Sequence, residues 1–219
     1  IVETISKGFD YAYLFFENKT SNNLSLEDGK VNRAGSNIDF GVGVRVLKGD
    51  QTGFAYTENI TLDEMLNAAK LAANIANEDK TFNAGSVSEK MPASYYNIGK
   101  KWDETSVKDK VPFVQNINDK VFALDDKVVK TNAFMNDDTS YVLFYNSEGR
   151  LTYDYRPMIS FGVYCIMQKG EQIENVYAAR SFRKGFEWIT DDLVNELAQE
   201  AVDKTNLLFE ATKPKAGEM

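Results

Sequence analysis

Two stretches of this chain follow one plan, and a chain that repeats a plan must build its fold from similar parts. Residues 52–77, TGFAYTENITLDEMLNAAKLAANIAN, and residues 184–211, KGFEWITDDLVNELAQEAVDKTNLLFEA, each open on Gly-Phe. Each then passes through Thr and acids and closes in an amphipathic helical pattern. In the first, Leu62, Met65, Leu66, Ala69, Ala72, Ala73 and Ala76 recur on one face. Thr61 with Glu64 makes a capping box, and Asp63 complements the helix dipole. In the second, Thr190 is the N-cap and Asp191 and Asp192 occupy the first turn. Leu193, Val194, Leu197, Ala198, Ala201, Thr205 and Leu208 form its stripe. The acids at both starts read as helix-start chemistry rather than as a metal cluster.

Upstream of each helix lies a run of strands. In IDFGVGVRVL, the residues Ile38, Phe40, Val42, Val44 and Val46 alternate with Asp39, Gly41, Gly43 and Arg45, a period of two. ISFGVYCIM places Ile159, Phe161, Val163, Cys165 and Met167 at the same parity, 121 residues later. Phe40 and Phe161 are therefore expected at equivalent core sites. LEDGKV and NSEGRL put Gly29 and Gly149 at hairpin turns. At the Gly-Phe pairs the offset grows to 132, so the second copy carries a longer hairpin, residues 168–184.

A helix precedes each copy. For the second, Ser106 and Asp109 cap a stretch with Val107, Val111, Val114, Ile117, Val121 and Phe122 inward, and Pro112 implies a kink or a delayed start. For the first, it is the opening IVETISKGFD, which reads as the tail of a helix ending at Gly8 and hence as a chain entered midway. The expected fold is α+β: an internally duplicated helix, antiparallel strands and helix, packed in two layers. Residues 1–80 form the first unit, 81–105 a connector and 106–219 the second unit.

Composition narrows the function. Its 33 acids against 25 bases give a net charge of −8, which argues against a nucleic-acid surface. Apolar runs are strand-length, so no membrane span is expected. Cys165 is the single cysteine and fits a reducing cytoplasm; the sequons at Asn18, Asn23 and Asn59 read as chance in a chain with no secretion signal. With no histidine, the usual zinc sites and the Ser-His and Cys-His nucleophile pairs are excluded. Gly41-x-Gly43 leads into strand rather than helix and is no dinucleotide fingerprint. The pairs Asp125–Asp126 and Asp137–Asp138 read as solvated turn acids. Arg156, Arg180 and Arg183 could face an anion or a partner chain, and ion pairing with the many acids is the simpler expectation. Tyr11, Tyr13, Phe15, Phe16, Tyr95, Tyr96, Phe182, Phe186 and Trp188 read as mostly core.

The run LSLEDGKVNRAGSNIDFGVGVRVLKGDQTGFAYTENITLDEMLNAAKLA resembles the start of the TldD/PmbA proteins, microbial zinc peptidases also labelled modulators of DNA gyrase. The second copy is similar to the TldD branch, with Asn146, Ser147 and Gly149 in an Asn-Ser-x-Gly turn, then Arg156-Pro157 and a long hairpin. The resemblance implies a cytoplasmic homodimer or TldD–PmbA heterodimer that cuts unfolded, extended peptides. In that family a His-Glu-x-x-x-His helix and a later cysteine hold zinc, and the segment matching them would follow Met219. No catalytic or metal residue carries over to this chain, and Cys165 matches no ligand. The reading is an amino-terminal domain for peptide admission and dimerisation, with zinc in a carboxy-terminal half. The alternatives are a freestanding binding module and a contact regulator of DNA gyrase.

Overall fold

The computed structural model describes residues 1, 8–74, 86–90, 95–96, 98–212 and 217. The expected helix before Gly8, Ala76 and parts of the connector lie outside them. The elements run β1 (Tyr11–Glu27), β2 (Lys30–Lys48), β3 (Gln51–Thr57), α1 (Leu62–Ala73), β4 (Ser88–Glu89), α2 (Val107–Leu124), β5 (Val128–Asn146), β6 (Arg150–Lys169), β7 (Gln172–Phe182) and α3 (Asp191–Leu208). Strands pair in the order β3-β2-β1-β5-β6-β4, with β7 also on β6. The class is α+β, with helices layered on antiparallel strands.

The chain divides into two compact units. Unit one takes Ile1–Thr20, Asn37–Tyr95 and Thr139–Arg156; unit two takes Ser21–Ser36, Tyr96–Asp138 and Pro157–Met219. The long strands contribute to both, so each unit contains the turn of a hairpin that begins in the other.

In unit one, Ala12 and Leu14 of β1 and Val42, Val44 and Val46 of β2 pack against Ala68, Ala69 and Ala72 of α1. The small stripe lets α1 lie close to β3. A Cβ on Gly53 would run into the Ala72 carbonyl oxygen. Leu62, expected inward, is exposed at the first turn. The turn that closes β5–β6 is held here, Ala12 donating its N–H to Ser147 Oγ at 3.1 Å and Ser147 its N–H to the Ala12 carbonyl at 2.8 Å.

In unit two, α2 packs on α3 and α3 on β7. Val114, Ile117 and Val121 meet Leu197, Ala198 and Ala201 over Ile159, Phe161, Val163, Cys165 and Met167. Leu24 and Leu26, near the β1–β2 turn, join this core. That turn is Asp28-Gly29, both at positive φ, as a two-residue hairpin loop requires. Asp28 accepts the Thr131 N–H at 2.9 Å and returns its own N–H to the Thr131 carbonyl at 3.1 Å.

All three helix caps form where the sequence places them. Thr61 accepts from Glu64 N–H, Thr190 from Leu193 N–H, and Asp109 takes both the backbone N–H and the hydroxyl of Ser106. Helix α2 starts at Val107 and runs through Pro112, so its start is not delayed. Val107 and Phe122, expected inward, are exposed, and Lys110 and Asn118 are buried in their stead.

The two hairpins β2–β3 and β6–β7 keep one register. Val44 faces Ala55 and Cys165 faces Val176, each pair displaced by 121 residues. Their turns are Lys48-Gly49-Asp50-Gln51 and Lys169-Gly170-Glu171-Gln172, with both glycines at positive φ. The added length of the second hairpin therefore sits at its open end. Its ladder runs on to Ile159–Phe182, whereas the first stops at Val42–Thr57.

This difference overturns two expectations. The Gly-Phe pairs are not structural equivalents: Gly53-Phe54 lies in β3, and Gly185-Phe186 enters a 3-10 turn after β7. Nor are Phe40 and Phe161, 49% and 0% exposed. Phe161 lies inside the longer ladder, edge-on to Phe113 and Phe182 at 5.2 and 5.7 Å. Ile38 and Phe40 lie past the end of the shorter ladder, with no strand on that side among the described residues.

Candidate functional site

The face of unit one turned away from α1 carries a trough of about 490 Å³. Strand alternation builds it: Gly53 and Ala55 turn toward the helix, so Phe54 and Tyr56 turn away, 62% and 71% exposed. Tyr13, Phe15 and Glu17 of β1 form the opposite wall, with Gly41 and Gly43 as floor and Asp39, Phe40 and Glu58 at the end. Phe54 leans over Gly43, where an added Cβ would meet its ring at 3.1 Å.

Three carboxylates line the trough, and none of them is ion-paired to a described residue. Glu17 accepts the Ser140 hydroxyl at 2.6 Å and Asp39 the Asn37 amide at 3.0 Å. Arg45 is on the same face but outside the lining, donating to the Tyr13 hydroxyl at 3.4 Å. Beside the trough, β2 residues 37–41 are bonded to β1 on one side only. An open edge next to exposed Ile38 and Phe40 is a template for another extended chain.

A second hollow of about 320 Å³ in unit one is lined by Phe15, Val142, Phe144, Arg150, Thr152, Asp154 and Arg156. Its arginines are engaged: Arg156 Nε pairs with Asp154 at 2.6 Å and Arg150 Nε donates to Thr152 at 3.3 Å.

The residues singled out from sequence do not converge. Arg156, Arg180 and Arg183 go separate ways, Arg180 to Glu200 at 2.7 Å and Arg183 over the Tyr96 ring at 5.6 Å. Asp125 closes α2 and accepts from Lys127 N–H and Nζ and from Asn206, at 2.7 to 2.9 Å. Those bonds, the Lys127 side chain's first, hold its carboxyl down to about 2. Asp137 and Asp138 lie within β5, not in a turn. Asp137 is buried and pairs with buried Lys110 at 2.7 Å, its other oxygen accepting Asn22 Nδ2 at 2.9 Å. Cys165 is buried against Thr205, its thiol pushed up chiefly by burial.

The aromatic expectation is corrected too. Tyr95 and Trp188 are exposed, while Trp102, within the stretch read as connector, is wholly buried. Its Nε1 donates to the Lys184 carbonyl at 2.7 Å and its ring meets Phe186 edge-on at 5.8 Å. The chain has no histidine, and among the described residues no three cysteine, aspartate or glutamate side chains cluster to hold a metal. No helix among them is long and apolar enough to cross a membrane.

The trough residues Asp39, Phe54, Tyr56 and Glu58 were not singled out from sequence. The available signal was TGFAYT itself, whose small residues alternate with its rings.

Comparison with known proteins matches residues 12–76 to PmbA/TldA metallopeptidase domain 1 and residues 100–209 to the PmbA/TldA metallopeptidase central domain. Among curated relatives, a metalloprotease TldD homolog of Haemophilus influenzae is 24% identical over 97% of this chain and 46% of its own length. One from Buchnera aphidicola is 26% identical over 76% of this chain and 34% of its own. A Methanothermobacter thermautotrophicus metalloprotease is 23% identical over 99% of this chain and 47% of its own. This chain thus spans less than half the length of these relatives. Among solved structures, a candidate modulator of a DNA gyrase from Thermotoga maritima superposes with a TM-score of 0.73 at 17% identity, covering 94% of this chain and 46% of that one. TldE from Thermococcus kodakarensis gives 0.61 at 18% identity, over 94% and 46%.

Proposed function

Because this chain belongs to the TldD/PmbA family, we propose that it is the amino-terminal part of a zinc metallopeptidase of that family, acting in the cytoplasm to admit unfolded peptides. The observation that carries peptide admission is the open β2 edge at residues 37–41 beside the aromatic trough. Main-chain hydrogen bonds to such an edge hold an extended peptide with little regard to its sequence, which suits unfolded chains. The chain has no histidine and among the described residues no three acids or cysteines cluster to hold a metal, so this reading assigns the zinc and the hydrolytic step to the carboxy-terminal half of such a peptidase. The shared register of the two hairpins supports descent of both units from one duplicated unit.

The same reading makes the β6–β7 hairpin a dimer contact or a cleft wall, since it is where the two copies differ most and it exposes Ile173 and Tyr177. Amide exchange tests admission: an unfolded peptide should slow exchange at residues 37–41. Unaltered exchange at that edge with saturating peptide would remove the proposal. For assembly, the hairpin is shortened to the length of β2–β3 in the chain joined to a family carboxy-terminal half. Peptidase activity or dimer mass should fall, and full retention of both would leave the hairpin without either role.

A further inference from the structure

The open faces of the two hairpins differ at matched positions 121 residues apart. The shared register sets Gly43, Phe54 and Tyr56 of the first against Tyr164, Asn175 and Tyr177 of the second. In unit two Phe134, Tyr164 and Tyr177 stand in a row, with centroids 6.3 Å apart from Phe134 to Tyr164 and 5.4 Å from Tyr164 to Tyr177. Tyr164 pairs across strands with Tyr177, and Gly43 pairs in the same way with Tyr56. Unit one therefore raises no ring from β2 at this place; Phe54 of β3 leans over Gly43 instead, beside the walls that Tyr13, Phe15 and Tyr56 give the trough.

A planar group can lie against these rings. The charge around the trough says which planar group: Glu17, Asp39 and Glu58 line it without an ion-pair partner among the described residues. We propose that the trough takes the side chain of an arginine from an extended peptide held at the neighbouring β2 edge, an inference that rests on the peptide-admission reading. A guanidinium stacks flat on tyrosine and phenylalanine and presents a fork of donors to carboxylates. Lysine would bring charge without the plane. Phenylalanine would bring the plane and leave the carboxylates unmatched.

The test uses short capped peptides, identical except for a central Arg, Lys, Phe or Gln, titrated onto this chain by calorimetry at low and high salt. The arginine peptide should bind about tenfold more tightly than the glutamine one, with Lys and Phe between and the Arg advantage shrinking in salt. The double variant D39N/E58Q should bring Arg to the level of Phe and leave Gln unchanged. G43Y, which writes the second unit's ring into the first, should weaken Arg and Phe together. Because G43Y must displace Phe54, the charge variants, exposed and away from the core, decide the matter if G43Y misfolds. Phe binding as tightly as Arg, or an Arg preference that survives D39N/E58Q, would overturn the proposal. Equal binding of all four peptides removes arginine selection and leaves peptide admission standing. Binding of none removes both.

Discussion

Asp137 and Lys110 show what one residue pair can contribute. Both side chains are almost wholly buried, and their 2.7 Å contact is completed by Asn22. Desolvating two charges is costly, so the pair adds little net stability, yet removing one partner strands the other in a dry site. D137A should cost about 3–5 kcal/mol in denaturant melts. Replacing both by apolar residues of like volume should recover most of that loss, and a double-mutant cycle reads the coupling. Gly49 and Gly170 give a cleaner case. Each has positive φ with nothing near an added Cβ, so only backbone conformation is at stake. G49A and G170A should each lower stability by about 1 kcal/mol, and by similar amounts, since the turns match. Unequal losses in thermal melts would show that the turns are not equivalent.

At the scale of elements, the junction of α2, β5 and α3 is sensitive to acid through Asp125. Its carboxyl is lowered from an ordinary 3.8 to about 2 by Lys127 and Asn206. A depressed folded value means the contribution is complete above the unfolded value and is lost as pH falls through the folded one. D125N should therefore be less stable than the parent near neutrality, and the gap should close between about pH 4 and pH 2. A gap that stays constant over that range in urea melts would exclude Asp125 as the source. The contact of α1 with β3 makes the opposite demand, on size rather than charge. Gly53 has no room for a methyl group under the Ala72 carbonyl. G53A must lift α1 or bend β3, and should destabilise unit one by about 1–3 kcal/mol.

For the whole molecule, the expectation is that these 219 residues alone hydrolyse no peptide. Their melting temperature should be the same with and without chelator, and zinc should bind only weakly through carboxylates. A stoichiometric tight zinc site by calorimetry, or peptide hydrolysis by the isolated chain, would contradict the division of labour proposed above.

Much of this was legible in residue order alone, because local chemistry decides it. Helix caps at Thr61, Ser106 and Thr190 depend on side chains a few residues apart. Strand alternation around Val44 and Cys165, and turns at Gly29 and Gly149, depend on parity and on backbone freedom. The α+β class followed from those elements. Burial did not follow, because it depends on what arrives from elsewhere in the chain. Phe40 and Phe161 share parity and neighbours, yet only Phe161 lies within a ladder long enough to enclose it. Trp102 and Asp137 looked like connector and turn until α2, α3 and β5 closed around them. The trough, too, is tertiary: Gly43 reads in sequence only as part of a Gly-x-Gly that is no dinucleotide fingerprint, and becomes the trough's floor only when Tyr13, Phe54 and Tyr56 stand around it.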